Sequence, residues 1–368
     1  MTSLSFRDAF ARLEASPETD AGLVKVVFDA ILDGSWSATQ IAAFAVALRL
    51  KGETPEAIAA AARSLREHMV PVEHSFDVLL DTCGTGGDGR GSLNLSTGAA
   101  LIVAAAGVPV AKHGNRAVSS RSGSADVIQE LGVSLDAPPE AARSILEEAR
   151  IAFLFAPAHH PAMRFVAPAR KELGIRTVFN CLGPLANPAR ASHQLLGAFD
   201  DELRPVLART LQSLGVRRAW VVRGADGMDE VSPFGPTRVS VVDGGSLDER
   251  VITPEEFGLT PSPEGAIDGG DATENARVLA AVLAGERHPS RDAFLLNAAA
   301  ALCIAEDEAP PLALERAREA VDSGAALRVL ERWRAASHTA ANAAASKPPA
   351  AAEPALSDPP KAASAGRR

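Results

Sequence analysis

The chain of 368 residues is 46% hydrophobic and 23% charged, the balance of an ordinary globular protein with length for roughly two domains. Its net charge of -9 argues against nucleic acid as a general partner, and no apolar run has the length of a membrane span. Three widely spaced cysteines, Cys83, Cys181 and Cys303, fit neither a disulfide framework nor a zinc spacing. With Arg7, Asp8, Arg12 and Glu14 interrupting any signal-peptide core, they predict a reducing, cytoplasmic setting.

The N-terminal part predicts helices. Leu23, Val26, Val27, Ala30 and Ile31 recur at helical spacing and stop at Gly34. Ser37-x-x-Gln40 is a capping box that opens a helix over Ile41 to Leu50, and Thr54 before Pro55 opens another, with Ile58, Ala62 and Leu65 on one side. Residues 1–71 are expected to form a small helical domain, completed by a second helical piece near 167–190.

From Phe76 short apolar runs alternate with helices, which predicts an α/β domain over 72–336 built on a mostly parallel central sheet. Expected strands are Val78 to Thr82, Val108 to Ala111, Ile151 to Phe155, Leu195 to Phe199, Trp220 to Val222 and Val239 to Val242. Helices are expected from Ser96, Ser124, Pro139 and Asp201, then over Ala272 to Ala284, Asp292 to Ala305 and Pro311 to Ala336. Residues 337–368 hold one large apolar residue, Leu356, and are expected to be a disordered, dispensable tail.

The stretch that organises the rest is the end of the first strand, Gly84-Thr85-Gly86-Gly87-Asp88-Gly89, followed by Asn94-Leu95-Ser96-Thr97. Glycines let backbone approach a ligand where a Cβ would clash, and Ser96 and Thr97 head an apolar helix whose free N–H groups would face the same anion. This reads as a phosphate cradle, with a bare glycine turn as the alternative. Gly84-x-Gly86-x-x-Gly89 formally matches a dinucleotide fingerprint. The acidic residue which that fingerprint needs about 20 positions on is missing from Val108-Pro109-Val110-Ala111-Lys112, and the loop also lacks the Gly-Lys-Ser/Thr ending of a nucleotide-triphosphate loop.

Lys112 to Asp126 is expected to leave the second strand as a basic, hydroxyl-rich loop that folds over a phosphorylated sugar; a solvated loop ending in a Ser124 helix cap is the alternative. Arg90, Lys112, Arg116 and Arg121 supply local positive charge. Asp229 and Glu230, adjacent beyond the Trp220 strand, suit magnesium or a solvated surface pair. His159 and His160 lack the spacing of a zinc helix, though either could shape a pocket. Arg170 offers a planar fork for a carboxylate, against the default of a surface arginine on a helix. Cys181 to Pro188 is a turn-rich segment able to line the same cleft.

In this order, Gly84-Thr85-Gly86-Gly87-Asp88, Asn94-Leu95-Ser96-Thr97, Lys112-His113-Gly114-Asn115-Arg116, Ser124-Ala125-Asp126, His160-Pro161-Ala162-Met163-Arg164, Gly183-Pro184-Leu185 and Asp226-Gly227-Met228-Asp229-Glu230 resemble the anthranilate phosphoribosyltransferase family, over about Phe6 to Ala336. The resemblance implies a nucleoside phosphorylase/phosphoribosyltransferase class-II-like fold and a homodimer joined through the helical domain. It implies transfer of the phosphoribosyl group of 5-phosphoribosyl 1-pyrophosphate to anthranilate, in tryptophan biosynthesis, by positioning and Mg2+, two ions, rather than by a protein nucleophile. The substrate-binding positions it carries over are Gly84, Gly87, Asp88, Ser92, Asn94, Leu95, Ser96 and Thr97; Lys112, His113, Gly114, Asn115, Arg116, Ala117, Val118, Ser119, Ser120 and Ser124; and His160, Arg170 and Gly183. Among these, Gly84, Asn115 and Arg170 are implied to contact anthranilate, and Ser96, Asp229 and Glu230 to bind the metal. Two departures touch packing: Arg223 where the family carries histidine, and Leu93 where phenylalanine is common. The other readings weighed are a pyrimidine nucleoside phosphorylase, which the acidic pair opposes, a non-catalytic binding protein, and a nicotinamide-dependent dehydrogenase, which the missing ribose acid opposes.

Overall fold

The computed structural model describes residues 4–117 and 121–346. Helices α1 (Phe6–Ala15), α2 (Ala21–Leu32), α3 (Ala38–Lys51) and α4 (Pro55–Glu67) open the chain. Each begins on a side-chain cap: Ser5, Asp20, Ser37 and Thr54 accept from the N–H groups of Asp8, Gly22, Gln40 and Ala57. Such caps satisfy donors that a first turn leaves unpaired and stabilise a helix by about 1 kcal/mol each. The Ser37–Gln40 capping box is closed in both directions.

Strands β1 (Leu80–Gly84), β2 (Val110–Gly114), β3 (Ile151–Phe155), β4 (His193–Gly197), β5 (Arg218–Gly224), β6 (Thr237–Asp243) and β7 (Ser246–Ile252) form one sheet in the order β3-β2-β1-β4-β5-β6-β7. The pairings from β3 across to β5 are parallel, whereas β5–β6 and β6–β7 are antiparallel. From β1 the chain builds first toward β2 and β3, then on the other side toward β4 and β5. Strand order therefore reverses between β1 and β4, the place where open α/β sheets bind ligands at their carboxyl ends.

Two strand expectations change. β2 continues through Lys112, His113 and Gly114, which pair with Phe153, Leu154 and Phe155 of β3, so these polar residues belong to a strand and not to the loop after it. β7 was not expected, because its residues up to Val251 are exposed and several are charged, as suits an edge strand. Gly244 and Gly245, with φ of 53 and 110, make the tight turn into it.

The remaining helices are α5 (Leu95–Ala105), α6 (Ser124–Glu130), α7 (Ala142–Ala149), α8 (Ala156–His159), α9 (Ala167–Leu173), α10 (Phe179–Leu185), α11 (Leu203–Ser213), α12 (Ala272–Leu283), α13 (Arg291–Glu306), α14 (Pro310–Asp322) and α15 (Ala325–Ala345). One core packs α5, α7 and α12 to α15 with sheet residues such as Val110 and Leu195. The other joins α1 to α4 with Val166, Ala169, Phe179 and Leu182, and runs on through Leu207 and Leu211 of α11 to Leu196 and Val221 of the sheet. The small helical unit thus has no private core, and the rings of Phe28 and Phe179 meet within it at 5.3 Å.

The C-terminal expectation is corrected. The helix expected over Pro311 to Ala336 is two helices, broken at Ser323 and Gly324, and the second runs to Ala345. Ser337 is buried, its Oγ accepts the Ser134 N–H at 3.0 Å, and Ala340 packs on the core. Val329, Leu330, Trp333 and Ala336 keep helical spacing into Ser337 and Ala340, and alanine and serine are small enough to continue the packed face without large apolar groups. The part of the expected tail at 347–368 lies outside the described residues. A chain truncated after Ala336 should melt several degrees lower by calorimetry, since it loses a buried hydrogen bond and packed turns; an unchanged melting temperature would show that these turns add nothing.

Candidate active site

The acidic loop after β5 sits on the ends of β1 and β4. A Cβ at Gly197 would lie 1.6 Å from the Asp229 carbonyl oxygen, and one at Gly84 would lie 2.6 Å from Asp229 Oδ2. Asp229 Oδ2 accepts the Gly86 N–H at 2.8 Å, and Glu230 Oε1 accepts the Ser96 N–H at 3.1 Å in the first turn of α5. The glycine loop, the start of α5 and the acidic pair therefore form one cluster, in which the helix end favours negative charge.

Desolvation by the surrounding protein raises the Asp229 carboxyl to about 6, with the Asp88 carboxylate adding repulsion. Glu230 is raised to about 8 by the same desolvation and by Asp229, against the opposing pull of Lys112. Carboxylates held in this desolvated, like-charged setting, beside the Ser96 hydroxyl, are a donor set for a hard cation. Among the described residues no three His, Cys, Asp or Glu side chains close into a cage, so a cation here would draw further ligands from water and substrate.

Lys112 lies beneath this cluster. Its buried Nζ donates to the Thr82 carbonyl at 2.6 Å and to Ser96 Oγ at 3.3 Å. Burial lowers its pKa, while Asp81 and Glu230 hold its charge in place. The expectation that Lys112 arches over the substrate is thus replaced by a buried cation under the cradle. Asp81 Oδ1 in turn accepts the His113 N–H at 3.1 Å.

His113 Nδ1 faces the Gly183 carbonyl at 2.9 Å, and its Nε2 lies 3.2 Å from His160 Nε2. Burial lowers both imidazoles, His160 to about 4, so the pair is neutral near physiological pH and His113 donates its Nδ1 proton to Gly183. His159 instead bonds the Val70 carbonyl at 2.9 Å and serves the packing.

The loop after β2 is tied to α6. Asp126 Oδ2 accepts the N–H groups of Ala117 and Gly123 at 3.0 Å each, so Gly123, not Ser124, holds the cap position. Arg116 is committed to Asp126 and Gln129, each at 2.9 Å, rather than to the cradle. Ser124 Oγ reaches the Asn115 carbonyl at 3.4 Å, and the exposed Asn115 side chain accepts the Arg116 N–H at 2.8 Å. A Cβ at Gly114 would meet Ser124 Oγ at 2.3 Å. Val118, Ser119 and Ser120 lie outside the described residues.

Asn94 Oδ1 accepts from Asn275 Nδ2 at 2.9 Å and from Ser122 Oγ at 3.3 Å, joining α5 to α12 and to the loop. The side chains of Leu95 and Thr97 are buried, and their N–H groups go to Leu93 and Asn94. Asp88 Oδ1 accepts the Arg90 N–H at 3.0 Å, and Ser92 bridges to Asp268. Arg170, half-buried on α9, has no side-chain hydrogen bond or ion pair among the described residues. Sequence reasoning missed Arg176, whose Nη2 donates to the Gly86 and Gly87 carbonyls at 3.1 and 2.9 Å. No motif marks it, since only the fold carries the α9–α10 connection to the glycine loop.

A helical bundle beside an α/β domain is the domain composition of the glycosyl transferase family. Residues 77–327 match that family's a/b domain and residues 18–69 its helical bundle domain. The anthranilate phosphoribosyltransferase of Thermomicrobium roseum is 52% identical over 320 residues, covering 85% of this chain and 92% of that protein. The crystal structure of the Thermus thermophilus enzyme of the same name superimposes with a TM-score of 0.84 at 44% identity, over 90% of this chain and 99% of that one. The Saccharomyces cerevisiae enzyme has structures in complex with PRPP and Mg and with 4-fluoroanthranilate; both have a TM-score of 0.83 at 30% identity, covering 91% and 92% of this chain and 98% and 100% of theirs. The chain belongs to the anthranilate phosphoribosyltransferase family.

The raised Glu230 carboxyl sets a pH dependence in chelator-treated protein. The unfolded chain releases this proton near 4.5 and the folded chain holds it to about 8, so between the two the folded state binds more protons and stability falls as pH rises. Glu230→Gln, which cannot ionise, should melt above the wild type at pH values past about 8, with the gap closing toward 4.5. A gap independent of pH in thermal melts would contradict the assignment.

Proposed function

We propose that the cleft over β1, β4 and β5 binds phosphoribosyl pyrophosphate (PRPP) and anthranilate, and that the chain transfers the phosphoribosyl group to the anthranilate amine with release of pyrophosphate, a step of tryptophan biosynthesis. The observation that carries this reading is the seating of Asp229 and Glu230 on the N–H groups of Gly86 and Ser96. The yeast relative's complex with PRPP and Mg supports Mg2+ as the cation, and its 4-fluoroanthranilate complex supports the acceptor. Asp229, Glu230 and Ser96 would hold the metal, and with Asp88 beside them we assign two ions.

Cleavage of the sugar–pyrophosphate bond develops positive charge on the ring and negative charge on the leaving group. When bound, magnesium supplies Lewis-acid neutralisation of that leaving group. The glycine-loop amides and the start of α5 are preorganised donors on the same negative side. The acceptor brings its own amine, so the protein needs only to position it: Arg170 grips the carboxylate, Asn115 borders it, and the neutral His113–His160 pair walls the pocket without adding charge.

Residues 1–71, with the piece near 167–190, act as the helical domain and the rest of 72–345 as the PRPP-binding domain. Exposed Phe10, Val26, Leu50 and Ile175 support a homodimer formed through the helical side. The reducing cytoplasm suits the three unpaired cysteines.

Pyrophosphate release from PRPP, measured with and without anthranilate and magnesium, tests the reading: it should require all three components. Asp229→Asn with Glu230→Gln should lower turnover by orders of magnitude in a folded protein. Losing a bidentate carboxylate grip costs about 2–5 kcal/mol, so Arg170→Ala should raise KM for anthranilate far more than KM for PRPP, and lysine should restore only part. Equal rises in both constants would mark Arg170 as structural.

A further inference from the structure

Arg176 stands in the connection between α9 and α10, on the helical side of the molecule, yet its Nη2 bridges the carbonyls of Gly86 and Gly87 at 3.1 and 2.9 Å. Two other contacts and one steric constraint fix it there. Its guanidinium carbon lies 3.5 Å from the ring centre of Phe199, just past β4. Arg49 at the end of α3 donates to the Arg176 carbonyl. A Cβ at Gly87 would lie 2.2 Å from Nη2, so the guanidinium occupies the room that a side chain would need, and Gly87 has φ +77 besides.

The consequence follows from peptide geometry. All peptide bonds among the described residues are trans, and in a trans unit the C=O and the following N–H point in opposite directions. Holding the Gly86 and Gly87 carbonyls on one side turns the N–H groups of Gly87 and Asp88 to the other. Neither N–H is bonded within the described residues. Two successive free amides in a run of positive-φ glycines form a concavity for an anion.

We propose that Arg176 is a positioning residue for the cradle, acting through the two carbonyls it bridges to aim the Gly87 and Asp88 amides at the pyrophosphate of the substrate. This rests on the PRPP reading above. It assigns to the helical side of the molecule a direct hold on the donor half of the site. The role needs a fork and not merely a charge: an ammonium would keep the positive field, but it has no ring stacking and no fixed plane with which to lock two carbonyls.

The test is calorimetric titration of inorganic pyrophosphate with magnesium, and of PRPP, into the wild type, Arg176→Ala and Arg176→Lys, with KM for anthranilate and melting temperature recorded alongside. Both variants should bind pyrophosphate about tenfold more weakly or worse, the scale of a lost charge-assisted bond, while KM for anthranilate stays within about twofold and the melting temperature holds. Phe199→Leu removes the stacking ring but leaves the charge, and should weaken pyrophosphate binding in the same direction; it carries the test with Arg176→Lys if Arg176→Ala does not fold. Wild-type affinity in Arg176→Lys would overturn the proposal, as would equal weakening of both substrates together with a lower melting temperature. A wild type that binds neither pyrophosphate nor PRPP would overturn the PRPP reading itself, and this inference with it.

Discussion

The structure depends on one close approach, the seating of the Asp229 backbone on the carboxyl ends of β1 and β4. Gly84 and Gly197 are neighbours in register across those strands, and both must lack a Cβ for the loop to lie where it does. The loop puts two carboxylates against backbone donors from the glycine turn and from the first turn of α5. In the absence of a cation this is an unfavourable arrangement, because desolvation and neighbouring carboxylates raise both groups. The fold holds it because the packing of strand ends, which is insensitive to charge, positions the backbone first. Part of the stability of the α/β domain is thereby spent on a site that waits for positive charge.

Beneath the acidic pair the charge alternates. Lys112 Nζ sits beneath the acidic pair, donating to the Thr82 carbonyl and Ser96 Oγ, and the Asp81 charge favours its protonated form. A buried ammonium with fixed acceptors orients the Ser96 hydroxyl and offsets the carboxylates above it without blocking the cleft. The His113–His160 pair extends this buried polar layer toward Gly183, but burial keeps it neutral, so it adds no second positive charge beside Lys112. The surroundings of Lys112 and His113 thus differ in electrostatics although the two residues are adjacent in one strand.

What the sequence made legible were features with local causes. The Ser37–Gln40 capping box, the glycine turn after β1 and the ranges of β1 to β6 within a few residues all follow from spacing and turn chemistry. Features set by tertiary context were not legible. Lys112 and His113 read as loop because they are polar, whereas the parallel ladder with β3 keeps them in the strand. β7 lacks the apolar alternation that marks a half-buried strand, because as an edge it packs little and carries charge. The turns from Ser337 to Ala345 looked like tail because alanine and serine bury little area each, although Ser337 is buried and Ala340 packs on the core. Arg116 was legible as a basic group, but its partner was not: Asp126 takes a charge that the sequence had offered to the phosphate.

In the proposed reading, the holds on the acceptor and on the donor meet in a short stretch of chain. Arg170 on α9 and Arg176 before α10 are separated by one turn at Gly174, which has φ 59 and ends the helix. Val166, Ala169, Val178 and Phe179 anchor both flanks of that stretch in the core shared with α1 to α4. Two guanidinium groups of opposite habit are therefore set by one mount: Arg176 Nη2 holds the glycine loop, while the Arg170 side chain has no hydrogen bond or ion pair among the described residues. For a reaction whose catalysis rests on placing an amine against a sugar carbon, what matters is the distance between the two holds, and an error of about 1 Å there is costly. Building both holds on one anchored segment makes that distance a property of a few packed residues rather than of how two domains happen to be arranged.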